Sequence, residues 1–128
     1  MPATSFPEYA QGITDAVENL VSAGQAVLVS LQLDQRSVVR GFIAGSVQFQ
    51  DGSVLNFREF VDVTQAEPKI MYAYHYQDEN HNLIFRYDNA VHRPALPKRE
   101  HRHNGSDVAI ASVPTLSRVL DEISKEQN

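Results

Sequence analysis

Apolar residues recur every three to four positions near both ends of the chain. Near the N-terminus this stripe consists of Ile13, Ala16, Val17, Leu20 and Val21. Near the C-terminus it consists of Leu116, Val119, Leu120 and Ile123. Such spacing places apolar side chains on one face of an α-helix. Pro7 suits the first turn of the first helix, Gly24 suits the position just past its end, and Pro114 precedes the last helix. Each stripe therefore predicts a helix.

Between residues 25 and 88 the apolar period changes to two, which is typical of half-buried strands. Five such segments follow one another: "AVLVSLQLD", "VVRGFIAGSVQFQ", "VLNFREFVDV", "IMYAYHYQ" and "LIFRYD". Short polar turns separate them, and the Asp-Gly pair at residues 51–52 is a strong hairpin signal. Consecutive strands joined by short turns predict an antiparallel meander.

The first two strands allow more specific predictions. In the first strand we expect one apolar face, made of Val27, Val29, Leu31 and Leu33. In the second strand, Gly41 and Gly45 indicate a bend or a bulge.

The segment 89–112 has little apolar periodicity and predicts a long basic loop. The expected fold class is therefore α+β, with an N-terminal helix, an antiparallel meander of about five strands, the long basic loop and a C-terminal helix. A single sheet must bury one face, and the two helices are the available cover. With 128 residues, 42% of them hydrophobic, we expect a single domain over residues 1–128.

Composition narrows the classes of function. The chain has no cysteine, so disulfides and thiolate chemistry are excluded. No apolar run is long enough to span a membrane, and the N-terminus lacks the features of a secretory signal, so we expect a cytoplasmic protein without a membrane partner. The net charge of −5 disfavours general nucleic-acid binding. Residues 86–103, however, contain five arginines and lysines against two acidic residues, which gives a local basic patch that can bind an anion.

The stretch "PKREHRHNG" contains His101 and His103, one residue apart. In an extended chain these imidazoles point to the same side. Two histidines could hold a divalent metal if His92 or Asp107 supplied a third ligand. The competing interpretation is a charged, solvated loop, and we predict neither a metal nor another cofactor.

A second chemistry for the same residue types is acid–base cleavage of RNA. It needs a base, an acid and cations for the developing charge. Histidine titrates near neutral pH, and arginine binds phosphate bidentately. The strand phase places five polar residues opposite the main apolar face: Asn56, Arg58, His75, Arg86 and Asp88. An ordinary solvent face has the same pattern. The catalytic interpretation therefore predicts that His101 or His103 lies near His75 or Arg86.

Other residues of the strands also allow two interpretations. Glu59 shares its phase with apolar neighbours, so we expect it to be partly buried and either to pair with an arginine or to act as a base. The tyrosines could stack nucleic-acid bases, but three of them share the phase of Ile70, which indicates a core position. These residues are Tyr72, Tyr74, Tyr76 and Tyr87.

Four segments taken in order resemble the TumE-like family: "DGSVLNFREFVD", "YAYHYQDENHNLIFRYDNAVH", "EHRHNG" and "SVPTLSRVLDEI". The resemblance covers roughly residues 25–125. It implies a small cytosolic toxin of a type II toxin–antitoxin pair, encoded beside an antitoxin that is commonly a helix-turn-helix protein. Members often carry a run such as His-His-Lys-His, whereas this chain has "REHRH", without the first histidine. The matching positions are Arg58, Glu59, His75, Arg86, Asp88, Asn89, His92, His101 and His103.

These observations together predict a toxin that acts on RNA by metal-independent acid–base chemistry. The expected catalytic residues are His75, His101, His103 and Glu59. The expected phosphate-binding residues are Arg58, Arg86 and Arg102. The expected supporting residues are Asp88, Asn89 and His92.

The expected partners are a cognate helix-turn-helix antitoxin and RNA, and the free sheet edges also allow a homodimer. Two alternatives stay open. One is a non-catalytic protein that binds an antitoxin or a cellular target through its sheet face or edge. The other is a small metal-dependent hydrolase that uses His92, His101 and His103.

Overall fold

The computed structural model describes residues 2–89, 100–104 and 107–127. These residues form an α+β fold, as predicted, and contain seven strands where the sequence predicted about five. The elements are α1 (Phe6–Ser22), β1 (Ala26–Gln35), β2 (Arg40–Phe49), β3 (Val54–Asp62), β4 (Lys69–Gln77), β5 (Leu83–Asp88), β6 (His101–Asn104), β7 (Asp107–Ile110) and α2 (Leu116–Glu126). The strands form one sheet in chain order, and all neighbouring strands are antiparallel.

Both helices begin at a capping side chain. Ser5 Oγ accepts a hydrogen bond from the Glu8 amide at 3.2 Å, and Thr115 Oγ1 accepts one from the Arg118 amide at 3.2 Å. These caps satisfy amide groups that have no partner inside the helix. Gly24 follows α1 with a φ of 74°, a left-handed conformation that glycine adopts without strain.

The helices cover one face of the sheet, which we call the core face. α1 buries Phe6, Ala10, Ile13, Val17 and Leu20, and α2 buries Leu116, Val119, Leu120 and Ile123. The opposing strands bury Ile43, Val47, Phe49, Leu55, Phe57, Tyr72, Tyr74, Tyr76 and Phe85. The alternation in β2 to β5 therefore gave the correct inward face, except at the start of β4. There the pairing with β3 shifts, and Ile70, which was expected to share the face of the tyrosines, is 44% exposed. The opposite side of the sheet, which we call the open face, carries the polar residues of the same strands.

The bulge expected at the two glycines of β2 is not in β2 itself, because the register shift near Gly45 lies in β1. The pairing of β2 with β3 is uninterrupted. A Cβ atom at Gly41 would overlap the ring of Phe6, and one at Gly45 would lie 2.5 Å from the ring of Phe57. The glycines therefore make room for two aromatic rings of the core.

The predicted inward face of β1 is partly wrong. The pairing of β1 with β2 shifts between residues 28 and 30, so that the strand contains a bulge. Of the four predicted residues only Leu31 and Leu33 are paired with core-side positions, opposite Gly45 and Ile43, and Leu33 is still 50% exposed. Val27 and Val29 are 57% and 61% exposed. In an edge strand the alternation of inward and outward side chains can be interrupted, because only one side of the strand pairs with a neighbour.

The segment predicted as one long loop contains the hairpin of β6 and β7. Its residues 90–99 lie outside the described part of the chain. The strand pattern was missed because β6 contains no apolar residue: its sequence is His-Arg-His-Asn. Among the described residues, neither helix is long and apolar enough to cross a membrane.

Candidate functional site

The register of the sheet lines up polar residues across the open face. Asn56 lies opposite His75, His75 lies opposite Arg86, and Arg86 lies opposite His103. In the neighbouring row, Asp88 lies opposite His101. Directly paired residues of antiparallel strands share a face and lie close together. The predicted proximity of His103 to Arg86 is therefore present.

Asp88 lies at the centre of this cluster. Its side chain is 6% exposed, and Arg86 Nε donates a hydrogen bond to its Oδ2 at 2.7 Å. His101 Nε2 contacts the other carboxylate oxygen, and His103 Nε2 lies 3.4 Å from Oδ2. A buried carboxylate needs such partners because its desolvation is otherwise unfavourable. Three groups that can carry positive charge therefore converge on one buried anion.

The two histidines of β6 differ in their access to a ligand. The side chain of His101 is fully buried, whereas that of His103 is 16% exposed. Their rings pack edge to face, with centroids 4.8 Å apart. His101 therefore belongs to the support beneath the cluster, and His103 is the member of the pair that can reach a bound molecule.

Arg86 connects the cluster to His75. Arg86 Nη1 lies 3.2 Å from His75 Nδ1. Because a guanidinium can only donate, Nδ1 must accept, and the hydrogen of the neutral ring is then on Nε2. Burial, and secondly the charge of Arg86, lowers the pKa of His75 below its ordinary value. His75 is thus a neutral hydrogen-bond donor at neutral pH.

A groove of about 690 Å³ runs over the open face of β1 to β5. Arg58, His75 and Arg86 line it, and none of the described lining residues is acidic. Arg58 is exposed, and it makes no ion pair within the described residues. Alanines 44 and 73 occupy the paired positions on either side of it. The groove therefore presents cationic and neutral donors to an anion.

Glu59 lies on the core face, away from this cluster. It is fully buried, beyond the partial burial that its apolar neighbours predicted. The expected arginine partner was wrong: Tyr9 and Tyr74 donate their hydroxyl hydrogens to its two carboxylate oxygens, Tyr74 at 2.6 Å. Burial, together with the Glu59 charge, raises the pKa values of both tyrosines. These hydroxyls stay protonated donors, and Glu59 is not brought together with the histidines.

Arg102 also lies on the core side, contrary to its expected place at a phosphate site. Its guanidinium carbon is 4.8 Å from the ring centre of Phe85 and 5.3 Å from that of Tyr87. The guanidinium also contacts Glu122 of α2 and Asn104. Arg102 therefore fastens β6 to the aromatic core and to α2.

The remaining predicted residues either have a structural role or lie outside the described part of the chain. Asn89 is buried; its Oδ1 accepts from the Tyr72 amide at 3.2 Å, and its Nδ2 donates to the Ile70 carbonyl at 3.0 Å. It therefore ties the end of β5 to β4. His92 and the side chain of Asp107 lie outside the described part of the chain.

The four tyrosines do not form a base-stacking surface. Tyr72, Tyr74 and Tyr76 are buried in the core, and the Tyr87 hydroxyl donates to Glu122 Oε1 at 2.7 Å. The sequence interpretation missed the central position of Asp88, which it had given only a supporting role. A usable signal was present, because Arg86 and Asp88 share a phase on one strand.

The cluster also has the composition of a metal site. The ligand atoms of Asp88, His101 and His103 all lie within 4.8 Å of one another. Two imidazole nitrogens and a carboxylate oxygen are ligands that zinc and other divalent transition metals accept. Within the described residues this is the one group of three or more such ligands.

Fold and site together define a two-layer α+β protein whose open sheet face carries a histidine–arginine–aspartate cluster beside a groove. The family model described as toxin TumE matches residues 17–127, which include every strand and the whole cluster. The chain belongs to the TumE toxin family. Searches of curated proteins and of solved structures found no match.

Proposed function

We propose that the chain is the toxin of a type II toxin–antitoxin pair and that it cleaves RNA without a metal ion. The observation that carries this proposal is the pairing of His103 with the buried Asp88, next to Arg86 and His75. An aspartate beside a histidine orients the imidazole and stabilises its protonated form. That arrangement suits a general base on an anionic substrate.

Each residue then has one role. His103 takes the proton from a ribose 2′-hydroxyl as the 2′ oxygen bonds to phosphorus. The bond from phosphorus to the 5′ oxygen breaks, and water in the open groove protonates that oxygen. Arg86 and the neutral Nε2–H of His75 stabilise the charge on the phosphate oxygens. Asp88 and His101 act through His103 and Arg86, as positioning residues.

RNA cleavage by purified protein tests these roles. We expect His103→Ala to lower the cleavage rate by about a hundredfold to ten-thousandfold, the usual contribution of a general base. His81→Asn is the matched control: His81 lies in the turn before β5 with a φ of 69°, which asparagine tolerates. A folded His103→Ala protein that cleaves at the rate of the unchanged protein would refute the assignment.

The antitoxin partner is part of the same proposal. Membership of a toxin family supports it, and β1 offers an edge strand with exposed apolar residues, among them Val27 and Val29. Such edges pair readily with another chain. Expression of the chain alone should stop growth, and co-expression of a helix-turn-helix protein encoded beside it should restore growth. Normal growth with the chain alone would count against the toxin role.

A second candidate is a metal-dependent hydrolase, because Asp88 supplies the third ligand for which the sequence had offered His92. The metal would have to share the Asp88 carboxylate with Arg86, whose Nε already donates to it at 2.7 Å. We therefore place this candidate second. It predicts stoichiometric zinc or manganese in purified protein, and loss of cleavage on treatment with a chelator. Full cleavage in the presence of a chelator would exclude it.

A further inference from the structure

The charge of the groove differs from that of the whole chain. The chain has a net charge of −5, yet the described lining residues include two arginines and no carboxylate. Arg58 and Arg86 lie on strands separated by β4, so that about 10 Å of sheet lies between their strands. Two separate guanidinium groups in a groove without a lining carboxylate suit two phosphates of one ligand, and the ion pair of Arg86 Nε with Asp88 holds one of them in place.

An aromatic ring stands at the edge of the same groove. Phe42 lines it, is only partly buried, and lies opposite Phe60 on the open face. The neighbouring positions toward the polar row are Ala44 and Arg58, so that a small side chain and a cation lie next to Phe42 along the groove. An aromatic ring next to a phosphate-binding cation is the usual platform for an unstacked base. Bases inside a duplex do not present their faces in this way.

Neutral polar side chains occupy much of the remaining lining. Gln32, Asn56 and Gln77 contribute amides, and Ser30 and Ser46 contribute hydroxyls. Amides both donate and accept hydrogen bonds, so they can pair with the edges of exposed bases. The groove volume of about 690 Å³ lies within the range of sites that enclose small ligands.

We infer that the groove binds a short single-stranded RNA segment, with one base on Phe42, one phosphate on Arg58 and the next phosphate at Arg86 beside His75. A trinucleotide, which has two internal phosphates, fills this site. The choice of RNA rests on the proposed function, whereas the length and the single-stranded state rest on the groove.

Equilibrium binding of 2′-fluoro oligonucleotides tests this inference, because they lack the 2′ nucleophile and are not cleaved. Fluorescence anisotropy would compare lengths of two, three and nine nucleotides and a duplex. We expect the affinity to rise from two to three nucleotides and then to change by less than about threefold. The slope of log affinity against log salt should be about −1.4, which corresponds to two phosphates of a single strand. Affinity that keeps rising to nine nucleotides, or equal affinity for the duplex, would overturn the inference.

Substitutions at Arg58 and Phe42 test the proposed phosphate contact and the proposed stacking contact. Arg58→Gln should reduce the salt slope to about −0.7, since one phosphate contact is lost. Phe42→Leu should weaken binding by about fivefold or more and leave the slope unchanged, because stacking is not electrostatic. Arg118→Gln is the charge-matched control, since Arg118 is exposed on α2 and lies outside the groove. If Arg58→Gln behaves like Arg118→Gln, the inference fails.

The outcomes separate this inference from the proposed cleavage. Binding of the trinucleotide with no cleavage of the matching ribonucleotide supports the inference and removes the nuclease. Cleavage with strongly length-dependent or duplex binding removes the inference and keeps the nuclease. Absence of binding to every oligonucleotide overturns the inference.

Discussion

Two buried carboxylates, Glu59 and Asp88, lie on opposite faces of the same sheet. Glu59 is fully buried on the core face, where two tyrosine hydroxyls donate to it. Asp88 is buried on the open face, where Arg86 and two histidines surround it. The Glu59 partners are neutral and enclosed, whereas the Asp88 cluster reaches the groove through Arg86, and its His103 is partly exposed.

The comparison teaches that burial alone does not make a carboxylate functional. Desolvation acts on both groups, and each has partners that offset it. Neutral hydroxyls hold Glu59 as a fixed part of the core. Arg86 and the two histidines hold Asp88, and Asp88 in turn holds Arg86 and His103 beside an accessible surface. Substitutions on the two faces should therefore separate activity from stability.

The largest expected effect is the loss of activity in Asp88→Asn. Asparagine keeps the size of the side chain but removes the charge that orients His103 and holds Arg86. We expect RNA cleavage per folded molecule to fall by about a hundredfold to ten-thousandfold. Circular dichroism would verify that the variant is folded. Near-normal cleavage by a folded Asp88→Asn protein would show that Asp88, like Glu59, has only a structural role.

The next effect is on stability, at Glu59. Glu59→Ala leaves a cavity and two buried tyrosine hydroxyls without their acceptor, so we expect the free energy of unfolding to fall by about 3 kcal/mol. Glu59→Gln keeps the volume and one acceptor and should cost about 1 kcal/mol. Urea unfolding measures both, and cleavage by the folded fraction should stay unchanged. A Glu59→Gln protein of normal stability that has lost cleavage would place Glu59 in the functional site after all.

A smaller effect is expected at Arg102, the arginine of the core face. Arg102→Met keeps the apolar stem but loses the contact of the charge with two rings and with Glu122. Because the arginine and the glutamate are partly exposed, the expected cost is only about 1 kcal/mol of unfolding free energy. Oligonucleotide affinity should be unchanged, in contrast to Arg58→Gln. A weakened affinity without a loss of stability would indicate that Arg102 binds phosphate, as the sequence predicted.

The smallest effect concerns pH. The pKa of His75 is lowered from the ordinary value of 6.5 by burial and by Arg86. As the pH falls, His75 is therefore protonated in the unfolded chain before it is protonated in the folded chain. The free energy of unfolding is unaffected by His75 above about pH 6.5, and it decreases as the pH falls from 6.5 to the lowered pKa. Nuclear magnetic resonance titration should show the His75 midpoint below 6.5, and Arg86→Gln should move it upward. A midpoint above 6.5 in the unchanged protein would contradict the neutral state of His75.

Several features followed from the sequence because their causes are local. Helical spacing, with Pro7, Gly24 and Pro114 near the helix ends, predicted α1 and α2. The period of two predicted β2 to β5 with their inward faces, apart from Ile70 at the start of β4. The same alternation placed His75 and Arg86 on one face, since a one-residue shift would reverse every side chain of a strand. It also gave the burial of Glu59, whose neighbours in phase are apolar.

Other features needed contacts between distant parts of the chain. The partner of Glu59 was missed because Tyr9 comes from α1 and meets β3 only when the helix packs on the sheet. Strand β6 was missed because Arg102, a charged residue, fills the place of an apolar one by lying over Phe85. The bulge in β1 arises from its pairing with β2 and leaves no sign in the apolar pattern.

The sequence by itself determined which side chains each local element presents together, because helix and strand periods are properties of the backbone. The tertiary structure decided which elements lie side by side. Asp88 meets His101 and His103 only through the register of β5 with β6, two strands that the periodicity of neither one aligns. That register joins the basic histidine segment to the arginine strand, and it forms the candidate site.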